Sequence, residues 1–300
     1  MELSGLHLLL TYKCLSECDH CFVWGSSRQT GVMTIEHIHA VLKQAREIDT
    51  LKWIYFEGGE PFLYYPVLLR GVQMATAMGF HVGIVSNAYW ASTREDALIW
   101  LKPFAELVED LTVSMDEYHN NHANGRLLQN VTEAAGELNI ALNVVSIAQP
   151  ETMNISRPLG RLPSGKSSLI YRGRAAVKLA DRADQFAWQL FTFCPNEILD
   201  NPSRVHLDSN GNVHICQGVI IGNVYDKPLG QICEEFHPEF HPVCGPLMKG
   251  GPVELVKKYD LEHRHQYADA CQLCYESRLA LRARFPAILG PDQMYGVMGK

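Results

Sequence analysis

The chain has no run of the roughly 18–20 apolar residues that crosses a bilayer as a helix, so no membrane span is expected. Positive charge is not in excess either: 26 basic against 33 acidic residues give a formal net charge of −7. That balance argues against nucleic acid or an anionic membrane as partner. The opening stretch, MELSGLHLLLTYK, has no basic leader and too short an apolar core for a secretion signal. A cytoplasmic location is therefore expected, where thiols stay reduced. Nine cysteines in such a compartment, an odd count, point to metal binding or catalysis rather than disulfides. Internal repeats and low-complexity segments are absent. The remaining composition is ordinary for a globular protein, 47% hydrophobic and 20% charged, and 300 residues suffice for a sizeable core.

Strand-like and helix-like periodicities alternate through the first half. LHLLLTY (Leu6 to Tyr12) reads as a first strand. Next comes TIEHIHAVLKQAREI, with Thr34 as N-cap and Ile35, Ile38, Val41, Leu42, Ala45 and Ile48 on one helical stripe. KWIYFEG is a second strand, YPVLLRGVQMATAMG a helix closed by Gly79, and FHVGIVSN a third strand. TREDALIWLKPF is a helix that Pro103 ends, LVEDLTVSMD a fourth strand, LLQNVTEAAGEL a helix, and IALNVVSIA a fifth strand. Such alternation implies parallel β–α units with right-handed crossovers, in a TIM-like partial barrel or an open doubly wound sheet.

The character changes near residue 150. QPETMNISRPLGRLPSGKSS is rich in Pro, Gly and Ser and reads as a long loop. From Arg157 to Arg182 seven basic residues accompany a single acidic one, Asp181. RVHLDSNGNVHIC is a hairpin signal, two alternating runs around Asn210-Gly211. Pro-rich loops (FHPEFHPVCGP) follow, then a final helix from about Cys271 to Phe285. The last quarter reads as a small, irregular, cysteine-bearing appendage.

The densest chemical signal is TYKCLSECDHCFVWG, where Cys14, Cys18 and Cys21 fall just after the first strand. Ligands of parallel α/β folds bind at that edge of the sheet. A closed zinc site needs four ligands, so three thiolates leave a metal site open unless His20 completes it. Thiolates suit both zinc and iron–sulfur clusters.

The spacing C-x3-C-x2-C at this place resembles that of the radical S-adenosylmethionine (radical SAM) enzymes. The resemblance implies a [4Fe–4S] cluster on Cys14, Cys18 and Cys21 whose fourth iron is chelated by SAM, with His20 near the adenine. A second match, FEGGEPFLY, sets Gly58, Gly59, Glu60 and Pro61 at the end of the second strand, where the family's GGEP motif receives the methionine ammonium. Two glycines permit close backbone approach, and a carboxylate is an acceptor for an ammonium group. Ser86 and Asn87 end the third strand, and Ser114 and Asp116 the fourth. Comparable polar residues in the family contact the methionine or ribose, while turn capping is the alternative reading. His119 and His122 face the same cavity or stay as solvated loop residues. Arg172, Arg174 and Lys178 either meet a carboxylate or form a solvated basic face.

Of the remaining cysteines, Cys194, Cys216, Cys271 and Cys274 are similar in arrangement to the twitch appendage of some radical SAM enzymes, a reduced SPASM domain. The resemblance implies one auxiliary [4Fe–4S] cluster on these four. The gap from Cys194 to Gly211 is longer than usual, which weakens Cys194, and structural zinc on the same thiolates is the alternative. Cys233, at helical apolar spacing, reads as a buried small hydrophobe. Cys244, after His237 and His241 in a Pro-rich loop, is spare, with metal ligation or an active-site role as the alternative reading.

The expected architecture is a partial (β/α)6 TIM-like barrel over residues 1–185, with a hairpin-plus-helix metal-binding appendage over 186–300. The resemblance implies reductive cleavage of SAM to a 5′-deoxyadenosyl radical and hydrogen abstraction from a substrate. A two-electron oxidation of a small molecule is expected, with the auxiliary cluster as electron acceptor. A peptide or protein maturase is the alternative enzyme, weakened by the thirteen residues that precede Cys14. A non-enzymatic zinc or iron–sulfur protein is the alternative of another class. A reductase, flavodoxin or ferredoxin is the implied electron donor.

Overall fold

The computed structural model describes residues 1–119 and 124–297. Through the first half, β1 (Gly5–Thr11), α1 (Ile35–Arg46), β2 (Trp53–Gly58), α2 (Tyr65–Ala77), β3 (His81–Ser86), α3 (Arg94–Leu101), β4 (Asp110–Ser114), α4 (Asn124–Glu137) and β5 (Leu142–Val145) alternate. The local signals account for their ends. Thr34 accepts a hydrogen bond from the His37 amide at 3.1 Å and starts α1. Gly79, at φ +88°, carries the chain out of α2.

β1 to β5 are parallel, each hydrogen-bonded to the next. Period-2 alternation divides their side chains between two faces. Leu6, Leu8, Leu10, Ile54, Phe56, Val82, Ile84, Leu111 and Val113 share the main buried core with the helices. Burying one such side chain contributes roughly 1.5–3 kcal/mol. His7, Tyr55 and Glu57 alternate with them and therefore face the lumen.

α5 (Pro150–Ser156) and α6 (Arg174–Lys178) follow β5. α5 falls in the stretch read as a loop; Pro150 starts it, where a missing N–H is tolerated. Ile147 and Ser167 form one isolated parallel bridge after β5. β6 (Phe186–Ala187) pairs later with β10 (Gln266–Tyr267). The expected hairpin is present as β7 (Arg204–Leu207) and β8 (Asn212–Cys216), with Gly211 at φ +83° in the turn. A third strand, β9 (Val219–Asn223), extends it. β7 also runs parallel to β1, so one eight-stranded open sheet has the order β5-β4-β3-β2-β1-β7-β8-β9. Residues beyond 186 thus continue the barrel sheet on the far flank of β1.

α7 (Leu229–Glu235), α8 (Cys244–Tyr259) and α9 (Ala270–Leu281) complete the chain. α8 was not expected. Gly250 and Gly251 leave helical geometry and Pro252 follows them, which hides the helical period. α9 matches the expected last helix, capped by Asp269 on the Gln272 amide at 2.7 Å.

Candidate active site

The loop after β1 brings Cys14, Cys18 and Cys21 to the C-terminal edge of the sheet, with Cys14 and Cys18 buried. Amides aim at two of the sulfurs: Ser16 N–H at Cys14 Sγ (3.4 Å) and Gly25 N–H at Cys21 Sγ (3.2 Å). Burial pushes the Cys14 thiol up to about 12, and raises Cys18 further. Thiolates in so dry a place need a cation beside them. The loop is clamped by Arg174, 6% exposed, whose guanidinium donates to Cys18 O and Gly25 O, both at 2.8 Å. Arg174 therefore has its donors committed to the cysteine loop, whereas Lys178 is exposed at the end of α6.

Gly58 and Gly59 lie against that loop. A Cβ on Gly58 would stand 2.4 Å from Thr11 O, and one on Gly59 2.2 Å from Lys13 O. The Gly59 amide donates to Thr11 O at 2.6 Å and the Glu60 amide to Lys13 O at 2.9 Å. The glycines thus let the two strand ends meet backbone to backbone. Glu60 is wholly buried, and its carboxylate accepts from Phe62 N (3.0 Å), Ser86 Oγ (2.9 Å) and Asn87 N (2.8 Å). Burial raises its carboxyl to about 7. Its geometry ties β2 to β3.

Six of the nine residues expected around SAM border one cavity with the three cysteines: His20, Gly58, Gly59, Ser86, Asn87 and Ser114. Glu60, Pro61 and Asp116 stand behind its wall, all three buried. Asp116 accepts from Ile147 N at 3.2 Å and Tyr118 N at 3.0 Å, and contacts His119 Nδ1 at 2.7 Å and His20 Nε2 at 3.7 Å. Burial lowers His20 to about 4, so its ring is neutral near pH 7. His119 borders the cavity, as do Phe22 and Glu57, which sequence reasoning missed. His122 lies outside the described residues.

A second cavity gathers Cys194, Cys216, Cys271 and Cys274 from the loop before β7, the hairpin and the first turn of α9. Cys244, wholly buried at the start of α8, lines it as a fifth sulfur. Its thiol is raised by burial and then by Cys216 and Cys274. Metal ligation was one of the readings open to it in the sequence. Arg172 and Arg278 flank the cavity, and Arg172 pairs with Glu197 at 2.9 Å while lying 4.0 Å from Cys216 Sγ. Cys233 sits in the main core, away from both sites.

Zn–S bonds of about 2.3 Å in a tetrahedron put sulfurs roughly 3.8 Å apart. Among the described residues, no three cysteines bring their sulfurs within 4.8 Å of one another. Three cysteines at the first cavity and five at the second supply the sulfur donors that iron–sulfur clusters and zinc both accept.

No protein-family model matches the chain. It is 26% identical over 155 residues to the putative peptide biosynthesis protein YydG of Bacillus subtilis, covering 50% of this chain and 49% of that protein. It is 33% identical over 113 residues to the tungsten-containing aldehyde ferredoxin oxidoreductase cofactor-modifying protein of Pyrococcus furiosus, covering 37% and 30%. The chain thus spans about half or less of the curated relatives it matches. Among solved structures, BtrN in complex with AdoMet and 2-DOIA superposes with a TM-score of 0.55 at 16% identity, over 84% of this chain and 89% of that one. Native anSMEcpe with bound AdoMet and the Cp18Cys peptide gives 0.53 at 14%, over 95% and 97%. Both share the fold of this chain. Together with the three-cysteine loop and the glycine pair on one cavity, these likenesses agree with the resemblance to radical SAM enzymes carried by the sequence motifs, and two of the similar solved structures hold AdoMet.

Proposed function

We propose that the protein cleaves SAM reductively and uses the resulting radical to abstract hydrogen from a substrate, in a two-electron oxidation of a small molecule. The observation that carries this reading is the meeting of Cys14, Cys18 and Cys21 with Gly58, Gly59, Ser86 and Asn87 around one cavity. When bound there, the cluster and SAM supply a 5′-deoxyadenosyl radical, the oxidant for an unactivated C–H bond. The chain's own part is to hold, orient and exclude water. The amides of Ser16 and Gly25 hold the Cys14 and Cys21 sulfurs, and Arg174 holds the loop through the Cys18 and Gly25 carbonyls. Gly58 and Gly59 form the wall against which the methionine end of SAM lies. Ser86, Asn87 and Ser114 offer polar atoms to its amino-acid and ribose groups. Glu60 fixes that wall from behind. His20, kept neutral by burial and lying 3.7 Å from Asp116, offers a flat face for the adenine.

Cys194, Cys216, Cys271 and Cys274 are assigned to an auxiliary [4Fe–4S] cluster, the electron acceptor that the oxidation requires. A flavodoxin, ferredoxin or reductase is the corresponding electron donor. Anaerobically reconstituted protein is expected to hold about eight irons per chain, four for each cluster. It should also release 5′-deoxyadenosine from SAM under dithionite. About four irons and one zinc would remove the electron acceptor and leave a redox-neutral reaction.

A peptide substrate is the second reading. It is favoured by the match to YydG, named a putative peptide biosynthesis protein. Incubation of the reduced enzyme with candidate peptides and candidate polyols, followed by mass spectrometry, separates the two. Loss of two mass units from one class alone decides between them.

A further inference from the structure

One group on the lumen face has no role in the chemistry above. His7 on β1, Glu57 on β2 and His206 on β7 stand on three neighbouring strands, His7 directly opposite His206 in register. Glu57 Oε1 lies 3.4 Å from His7 Nδ1 and 3.1 Å from His206 Nε2. These three atoms are all within 4.8 Å of one another. Yet Glu57 Oε1 and His7 Nδ1 are both buried without a hydrogen-bond partner, so the contacts are not a hydrogen-bonded relay. A buried carboxylate oxygen facing two ring nitrogens without such bonds is costly unless something positive sits among them.

We propose that His7, Glu57 and His206 bind one divalent transition-metal ion, zinc foremost, in the barrel lumen beside the SAM cavity. Zn–N and Zn–O bonds of about 2.0–2.2 Å in a tetrahedron set neighbouring ligand atoms roughly 3.4 Å apart. The observed 3.1 and 3.4 Å fit that edge. Two imidazoles and a carboxylate are donors that zinc accepts readily. The rings are held from outside. Tyr55 stacks on His7 at 4.7 Å and 15°, and Phe22 packs edge-on to His206 at 6.1 Å.

Three protein ligands leave a fourth position. Glu57 borders the cavity of the three cysteines, so that position opens toward it. A substrate carbonyl, hydroxyl or carboxylate oxygen would occupy it, fixing the substrate next to the site of hydrogen abstraction. This chemistry suits a peptide carbonyl and a small polyol alike.

The test uses reconstituted holoenzyme, passed over chelating resin and dialysed to equilibrium against micromolar Zn2+, with zinc and iron counted by mass spectrometry. Wild type should take up one zinc per chain with iron unchanged. Glu57→Gln and His206→Gln should weaken zinc binding at least tenfold at full iron content. Because Glu57 adjoins Gly58, His206→Gln on β7 is the decisive variant should Glu57→Gln disturb the loop. X-ray absorption at the zinc edge should show nitrogen and oxygen neighbours only. Absence of zinc uptake by fully iron-loaded wild type overturns the proposal. So do unchanged uptake by His206→Gln and sulfur ligation of the zinc. Iron content reads the cluster sites separately, so the two assignments fail independently.

Discussion

Replacing Arg174 by Ala tests how the cysteine loop is held. The guanidinium is buried and makes two 2.8 Å bonds, to Cys18 O and Gly25 O, which flank Cys21. Hydrogen bonds to a charged group are worth about 1.5–3 kcal/mol each, so removing two costs the ordered loop about 3–6 kcal/mol. At 1.4 kcal/mol per factor of ten, the ordered form becomes about 10²- to 10⁴-fold less favoured. The sequence separations of 156 and 149 residues matter little, since the folded sheet has already closed that loop. The assay is iron per chain after anaerobic reconstitution, beside 5′-deoxyadenosine release. Arg174→Ala should fall from about eight irons toward about four and lose SAM cleavage, while circular dichroism stays native. Arg174→Lys keeps the charge but lacks the two-pronged fork, and should give intermediate loading. Full iron loading and wild-type cleavage by a folded Arg174→Ala protein would refute the reasoning.

Glu60→Gln should raise the Kd for SAM about tenfold while iron content is retained. Its amide nitrogen cannot accept from the Asn87 N–H, and an orphaned buried donor costs about 1–3 kcal/mol. Isothermal titration against wild type checks this, and lost iron with normal affinity would show that Glu60 holds the cysteine loop instead. Gly59→Ala should give insoluble or iron-free protein, because its methyl would meet Lys13 O at 2.2 Å; a soluble, loaded variant would contradict the close packing. The pair Cys271→Ala and Cys274→Ala should halve the iron and stop oxidised product, yet still release 5′-deoxyadenosine more slowly. Circular dichroism guards against a stapling role of that site.

The first half of the fold was readable because its signals are local. Thr34, Gly79 and the apolar alternation of β1 to β4 each act within a few residues, and the cysteine loop and glycine pair are contiguous motifs. Elements that break their own period were not readable. α8 carries Gly250, Gly251 and Pro252 in its middle, and α5 begins on a proline in a stretch that otherwise reads as loop. The pairing of β7 with β1 joins residues about 200 apart, and no sequence period encodes it. For the same reason the His7, Glu57 and His206 group was invisible as a site, and Cys244 could not be assigned to the second cavity. Their members come together only through strand register and helix docking. Glu60 shows a further limit: its position was legible, but its burial behind the cavity wall was not, since a carboxylate beside two glycines reads equally well as a ligand-facing acceptor.

The central claim is that the open three-thiolate site performs reductive SAM cleavage. The direct measurement is 5′-deoxyadenosine formed by Cys14→Ala, Cys18→Ala and Cys21→Ala proteins, each reconstituted anaerobically and reduced with dithionite beside wild type. Wild type should release 5′-deoxyadenosine and each variant none above background, with the auxiliary iron still bound. Undiminished 5′-deoxyadenosine from any one of the three would contradict the account.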